Sequence, residues 1–266
     1  PDKYKQPFLD AGFTEDTAAR YGMIANIDDN MGILMQKLAE WGLEENTLLI
    51  FMTDNGQASG RTTKKNGETY ELWHAGLRDG KGSPHEGGTR VPAFWRWKGV
   101  LPEGKDVAAL AAHIDIFPTF TALADATLPA NTQQLDGRSL VPLLEDQNAP
   151  WADRYLFIHT GRWPVGANVQ EYKYRRNAVR SAQYRLVENT ELYDILADPG
   201  ETQNIIDQHP EVVKAMRAAY DDWWEKTVPL LVNENVPMSP THPFWVEYEK
   251  QAAAPGGIPK WVKPEI

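Results

Sequence analysis

Three short stretches of this 266-residue chain carry side chains that could do chemistry together. Asp54-Asn55-Gly56 follows Leu48 to Met52, an apolar run of strand length. An aspartate beside an asparagine offers hard oxygen ligands, one anionic and one neutral, of the kind Ca²⁺ or Mg²⁺ takes. The set is incomplete, because Ca²⁺ takes about six to eight oxygens. The same tripeptide is also an ordinary turn former. Downstream, Gly80-Lys81-Gly82-Ser83-Pro84-His85-Glu86-Gly87-Gly88-Thr89-Arg90 sets one lysine between glycines. Glycines let backbone pass close to a ligand, so the loop can present Lys81 and its own N–H groups to an anion. Taken alone, Gly-Lys-Gly is more often a flexible loop with a solvated lysine. Between the two lies Gln57 to His74, polar and without periodicity, which predicts a surface loop beside the site. Trp73 and His74 are its candidates for substrate contact, though His74 reads equally as an ordinary loop histidine. Arg78 either reinforces the positive end of the pocket or pairs with Asp79. His85 is first a structural residue, and Glu86 ties down the glycine loop and Arg90 through hydrogen bonds.

These groups need elements to hold them. Pro1 to Gly12 reads as a loop. Thr14 caps a helix with Glu15 and Asp16 in its first turn. Tyr21, Ile24, Ile27, Met31, Leu34, Leu38 and Trp41 recur at helical spacing, predicting one buried face that ends at Gly42. Asp28 and Asp29 on this helix read as polar-face residues rather than a paired-carboxylate site. The apolar run before Asp54 has the look of a buried parallel strand, and ligands of open α/β sheets collect beyond the carboxyl ends of such strands. Val91 to Trp97 is a second strand. Asp115 caps a helix with Pro118 in its first turn, and His113 beside it is a packed or capping histidine. Gln147-Asn148-Ala149-Pro150 is the best linker. After it the alternation gives way to short strands, Tyr155–His159, Tyr174–Arg180, Tyr184–Val187 and Glu191–Asp194, which suggests an antiparallel sheet. The turn Asp198-Pro199-Gly200 and a helix from Pro210 to Trp224 follow, with Val213, Met216, Tyr220 and Trp223 or Trp224 inward. From Val228 onward prolines, tryptophans and Gly256-Gly257 argue for a tail that wraps the surface, anchored by Trp245 and Trp261.

Composition narrows the function. At 42% hydrophobic and 24% charged residues the chain is globular. A formal net charge of −10 argues against a nucleic-acid surface, which needs a basic face. It does not forbid an anionic substrate, since Lys81, nearby arginines and a bound cation can override the global sign locally. There is no cysteine, so disulfides and thiolate metal sites are excluded. No apolar run approaches the length of a membrane span.

The order Thr53-Asp54-Asn55-Gly56, Leu77-Arg78-Asp79-Gly80-Lys81-Gly82-Ser83 and Glu86-Gly87-Gly88-Thr89-Arg90-Val91-Pro92 resembles the sulfatase family, the arylsulfatase-like branch of the alkaline phosphatase superfamily. Tyr21 to Gly32, His113 to Thr119, Asp136-Gly137-Arg138-Ser139-Leu140 and Glu191 to Asn204 extend the likeness over Ala19 to Trp224. The resemblance implies an α/β fold: part of an alkaline-phosphatase-like mixed sheet flanked by helices in residues 1–150, then a smaller α+β subdomain with an antiparallel sheet and a C-terminal helix in 151–266. It implies Asp54 and Asn55 as ligands of a divalent cation, calcium first, and Lys81 as the catalytic cation that holds a sulfate oxygen and the bridging ester oxygen; Arg78 and His74, read from their own loops, are the further candidates for substrate contact. In such folds the loop of His159, Arg162 and Trp163 leans over the mouth of the site.

The family's nucleophile is a formylglycine made in a Cys/Ser-x-Pro-x-Arg motif. Neither Ser83-Pro84 nor Ser239-Pro240 has that spacing, so the resemblance places the nucleophile, two more aspartates and a catalytic histidine upstream of this sequence. The activity implied is hydrolysis of sulfate esters on a small molecule or a glycan, in a periplasmic or extracellular compartment. The alternatives are a phosphodiesterase or phosphonate hydrolase of the same superfamily, against which Asn55 argues, and a non-catalytic module that binds sulfated glycans. Oligomeric state and the particular ester are not legible.

Overall fold

The computed structural model describes residues 1–58, 61–132, 134–164, 166–231 and 241–258. Asp2–Asp10 forms helix α1 and Glu15–Glu40 helix α2. The first of these corrects the expected loop. Pro7 sits inside α1, yet the helix is held by side chains: Phe8 packs on Tyr21 with ring centroids 5.4 Å apart, and Lys3 pairs with Asp29 at 3.5 Å. Gly22 permits the close approach, since a Cβ there would stand 3.1 Å from the Lys5 backbone. Helix α2 begins after Thr14 and stops at Gly42, whose φ of +68° lets its N–H reach back to Ala39 O at 3.1 Å. Its apolar stripe exists but is uncovered: Ile24 is 58%, Ile27 49% and Trp41 51% exposed, and the buried residues are Thr17, Ala18 and Gly22.

Strand β1 is Leu49–Met52. Its partner is β4, Ala93–Arg96, and the pairing is antiparallel, Leu49 opposite Arg96 and Met52 opposite Ala93. The expected buried parallel strand is therefore, among the described residues, a half-buried antiparallel one. The expected surface loop 57–74 contains a hairpin, β2 Arg61–Thr63 with β3 Thr69–Glu71. Its turn is closed by Lys64 N–H and Glu68 O at 2.8 Å, with Asn66 Oδ1 accepting from Glu68 N–H at 3.0 Å and Gly67 at a φ of +87°. A single-turn helix α3, Glu86–Thr89, leads into β4.

Ile116–Leu123 is helix α4 and Val141–Glu145 helix α5. Asp115 is fully buried and stands at the start of α4, but its side chain makes no capping bond to that helix, which corrects the expected cap. Its carboxylate accepts from Ala112 N–H at 2.7 Å and Arg138 N–H at 2.8 Å, and pairs with Arg154, whose Nη1 lies at 2.7 Å. Gly137 allows this knot, because a Cβ there would fall 1.9 Å from Ile114 O.

The second half matches its expected pattern. Strands β5 Leu156–His159, β6 Asn177–Arg180, β7 Tyr184–Val187 and β8 Glu191–Asp194 form one antiparallel sheet in that order. Helix α6, Pro210–Thr227, lies across it with Val213, Met216, Tyr220 and Trp224 buried against Val179, Leu186 and Leu192. Burying a large apolar side chain of this kind stabilises by about 1.5–3 kcal/mol, so this layer is the anchored core of the chain. The tail is not purely irregular. Pro243–Ala253 forms helix α7, begun by Pro243 at its first position and by His242 Nδ1 accepting from Phe244 N–H at 3.2 Å. Trp245 is 53% exposed and packs on Phe244 and Tyr248 rather than anchoring the tail. Ser239, Pro240 and Trp261 lie outside the described residues. No helix among the described residues is long and apolar enough to cross a membrane.

Candidate functional site

The backbone leaves β1 at Met52 and turns at once. Thr53 Oγ1 donates to Asn55 O at 3.1 Å, and His113 Nε2, as an N–H, donates to Thr53 O at 2.8 Å. This fixes His113 as a brace for the turn. Asn55 Nδ2 donates to Gly56 O at 3.1 Å, which leaves its Oδ1 as an open acceptor. Asp54 is exposed and has no hydrogen-bonded or ion-paired side-chain partner among the described residues. One carboxylate and one amide oxygen, both uncommitted, suit a hard divalent cation. They make only part of a shell: no group of three His, Cys, Asp or Glu that could hold a metal occurs among the described residues.

The turn is locked to the lysine loop through glycines. Gly56 N–H donates to Gly88 O at 2.9 Å, and a Cβ on Gly56 would stand 1.8 Å from Gly87 O. A Cβ on Gly87 would stand 2.3 Å from Asp79 O, and one on Gly88 2.2 Å from Ser83 O. These three positions need glycine because backbone occupies the space a side chain would take. Lys81 N–H donates to Gln57 O at 2.8 Å, so the lysine's own backbone is bonded three residues beyond Asp54. Lys81 is exposed, and its ammonium has no hydrogen bond or ion pair among the described residues.

Beneath this loop lies a buried ionic network. Glu86 is 3% exposed and its Oε1 accepts from Arg180 Nε at 2.9 Å and Arg185 Nη2 at 2.5 Å, while Oε2 lies 3.7 Å from Arg90. Burial pushes the Glu86 carboxyl up, and Arg185 and Arg180 pull it down by more, so the group is held below the usual carboxylate range. Glu201, also buried, accepts from Glu86 N–H at 2.8 Å and meets His85 Nδ1 at 3.0 Å. His85 is thus a structural residue, as expected. Arg185 further donates to Pro84 O and to Thr89 Oγ1, the latter at 3.0 Å.

Arg78 pairs with Glu191 at 3.1 Å and donates to the Tyr193 hydroxyl at 2.5 Å, not to Asp79. Burial first and the neighbouring Glu191 second push the Tyr193 phenol up to about 12, so it stays protonated. Arg78, Lys81 and His85 line a cavity of about 470 Å³ whose far wall includes Arg176, Glu188 and Glu191.

Among the other expected residues, His74 sits with Nε2 3.9 Å from Glu71 and its Nδ1 buried without a partner, while Trp73 is 70% exposed. Gln57 links them to the lysine loop: its side chain donates to Trp73 O and its carbonyl accepts from Lys81 N–H. No hydrogen bond or ion pair joins His74 to Lys81. In the loop of His159, Arg162 and Trp163 the His159 and Trp163 rings are packed. His159 Nε2 bonds Tyr172 O at 2.9 Å, and its ring packs on Trp163 and Trp224, 5.9 and 5.0 Å between centroids, against α6. Sequence reasoning missed Arg176, Arg180, Arg185 and Glu201. One clue needs the register: Arg180 and Arg185 stand opposite each other on β6 and β7, where like charges destabilise unless an anion lies between them.

The fold is alkaline-phosphatase-like α/β, and comparison with known proteins gives the family. The sulfatase family model matches residues 1–126, and that of the C-terminal part of N-sulphoglucosamine sulphohydrolase matches residues 79–225. The mouse (Mus musculus) steryl-sulfatase is 30% identical over 241 residues, covering 80% of this chain and 38% of its own length. Human (Homo sapiens) arylsulfatase A is 32% identical over 216 residues, covering 73% and 41%. The crystal structure of Ps i-CgsB superposes with a TM-score of 0.65 at 26% identity, over 84% of this chain and 46% of that one; a further structure of that protein holds k-i-k-neocarrahexaose. Phosphonate monoester hydrolase SpPMH from Silicibacter pomeroyi shares the fold, with a TM-score of 0.52 at 20% identity. The chain belongs to the sulfatase family. It spans about two-fifths of the length of these curated relatives.

Proposed function

We propose that this chain supplies the cation-binding and sulfate-holding part of a sulfate ester hydrolase acting on aryl or carbohydrate sulfates. The observation that carries the reading is the glycine lock, which joins the Asp54-Asn55 turn and the Lys81 loop by backbone packing that tolerates no side chain. Asp54 and Asn55 would give oxygen ligands to a divalent cation, calcium the first choice. When bound, such a cation would supply Lewis-acid stabilisation of sulfuryl oxygens, and a formylglycine in the part of the relatives' length that this chain does not span would supply the nucleophile. The residues present here position and stabilise. Lys81 holds a sulfuryl oxygen and the bridging ester oxygen, where negative charge grows as the S–O bond breaks. A fixed cation aimed at developing charge is commonly worth about a hundredfold or more in rate. In this reading residues 1–150 present the ligands and residues 151–266 brace the lysine loop through Arg180, Arg185 and Glu201.

The names of the relatives support esters of phenols and sterols, and the oligosaccharide held by Ps i-CgsB supports a glycan. The test is sulfate release by the intact protein from an aryl sulfate and from sulfated oligosaccharides, with calcium present and with calcium chelated. Release that depends on the cation is the expected result. No sulfate release, with phosphate or phosphonate esters hydrolysed instead, overturns the reading in favour of the phosphoester branch; binding of sulfated glycan without turnover overturns it in favour of a binding module.

A further inference from the structure

The two walls of the cavity beside Lys81 come from distant parts of the chain: the lysine loop on one side, and Arg176 with the turn between β7 and β8 on the other. The acidic side chains in these walls are engaged. Asp79 accepts from Ser83 Oγ at 3.1 Å, Glu188 from Arg176 N–H at 2.8 Å, and Glu191 from Arg78 at 3.1 Å and Tyr193 Oη at 2.5 Å. Arg78 is thereby neutralised. Arg176 is not. Its guanidinium makes one hydrogen bond, from Nη2 to Gly82 O at 2.6 Å, and has no ion pair among the described residues. A guanidinium has five N–H groups in a planar fork, so most of its donor capacity is unspent. Arg176 and Lys81 therefore line one cavity as two cations without an ion-pair partner among the described residues.

The backbone at Arg176 gives a second, independent observation. Its φ is +52°, in the left-handed region that non-glycine residues seldom adopt. The opposing turn at Glu188 and Asn189 is also left-handed, at +48° and +59°, as a type I′ hairpin requires. That turn places the Glu188 carboxylate where it accepts from the Arg176 N–H and holds the strained residue in place. Such conformations persist when the surroundings enforce them, and they concentrate at ligand clamps.

We infer that Arg176 is a specificity-determining residue, which reads a second anionic group on the substrate, a carboxylate or another sulfate, next to the sulfate ester that Lys81 holds. The inference rests on the sulfatase reading above. A planar fork suits an oxyanion with two free oxygens, and a cavity of about 470 Å³ falls in the range that takes small ligands. The substrate class is then a polyanionic glycan rather than a neutral aryl ester.

The test compares the intact enzyme with Arg176→Gln and Arg176→Lys on four substrates: a neutral aryl monosulfate, a monosulfated disaccharide, its disulfated form, and a form carrying a uronate carboxylate. For Arg176→Gln the expected loss in kcat/KM on the last two exceeds that on the first two by about tenfold or more, mostly through KM. Arg176→Lys recovers part of it. Greater loss on the disulfated or on the uronate form tells which anion is read. Equal loss on all four overturns the inference, leaving Arg176 as a support for Gly82, and no loss on any overturns it as well. If the wild type releases no sulfate from any substrate, the sulfatase reading fails separately. Calorimetric binding of the disulfated and monosulfated disaccharides then decides: a preference for the former that Arg176→Gln abolishes upholds the inference, and equal affinities overturn it.

Discussion

Replacing Glu86 by glutamine tests the buried network that braces the lysine loop. The side chain is 3% exposed and its Oε1 faces two arginines, at 2.9 and 2.5 Å, that are themselves 9% and 2% exposed. Glutamine keeps the shape and removes the carboxylate that is hydrogen-bonded to both Arg180 and Arg185, leaving Arg185 with Glu201 at 3.8 Å and Arg180 with no carboxylate partner among the described residues. Removing one partner of a buried ion pair costs about 3–5 kcal/mol, because the remaining charge has lost its water and gained nothing. For a domain of this size that is about 10 °C or more in Tm, measured by calorimetry or by circular dichroism.

The pH dependence gives an independent check. Glu86 is held below its usual range, so its contribution is fully present above the unfolded-state pKa, about 4.3 for glutamate, and is lost as pH falls through the lower folded value. The stability gap between wild type and Glu86→Gln therefore narrows as pH drops below about 4. A variant within about 1 kcal/mol of wild type refutes the claim that this network is an obligate ion pair.

Two other changes probe the site above it. Asp54→Ala lowers affinity for calcium or magnesium, read by calorimetry on the protein stripped of metal, and leaves the unfolding free energy in the stripped state within about 0.5 kcal/mol of wild type because Asp54 is exposed. Gly56→Ala drives a methyl group into Gly87 O at 1.8 Å, and overpacking against backbone costs about 1–3 kcal/mol or more. Its Tm falls, whereas Gly104→Ala, strained only by a φ of +61° with nothing within 4 Å of its Cβ, falls by less.

Local pattern was legible where one element answers one period. The antiparallel sheet β5–β8 and the inward face of α6 could be read from alternation and from three- and four-residue steps, because the residues that cover them are nearby in sequence. Helix α2 shows the limit of the same rule. Its apolar stripe is real, but period states which face is apolar and not what covers it, and Ile24, Ile27 and Trp41 are exposed. Helix α1 was hidden by Pro7, α7 by the density of prolines before Pro243, and the β2–β3 hairpin by its polar strands.

At the candidate site, Asp54, Asn55 and Lys81 could be singled out because paired oxygen ligands and a glycine-flanked lysine each stand within a few residues of sequence. The residues that hold the loop were not. Glu86 bonds Arg180 and Arg185 across 94 and 99 positions, and Arg78 meets Glu191 across 113. Pairing at that separation leaves no local signature, and only the strand register shows that two arginines face each other and need an anion.

The central claim is that Lys81 is the fixed cation on the scissile sulfate. It is tested most directly by kcat for sulfate release by Lys81→Ala in the intact protein, with bound divalent metal counted in the same samples. The account predicts a fall of about a hundredfold or more at unchanged metal content. An unchanged kcat, with metal bound as in the wild type, contradicts it.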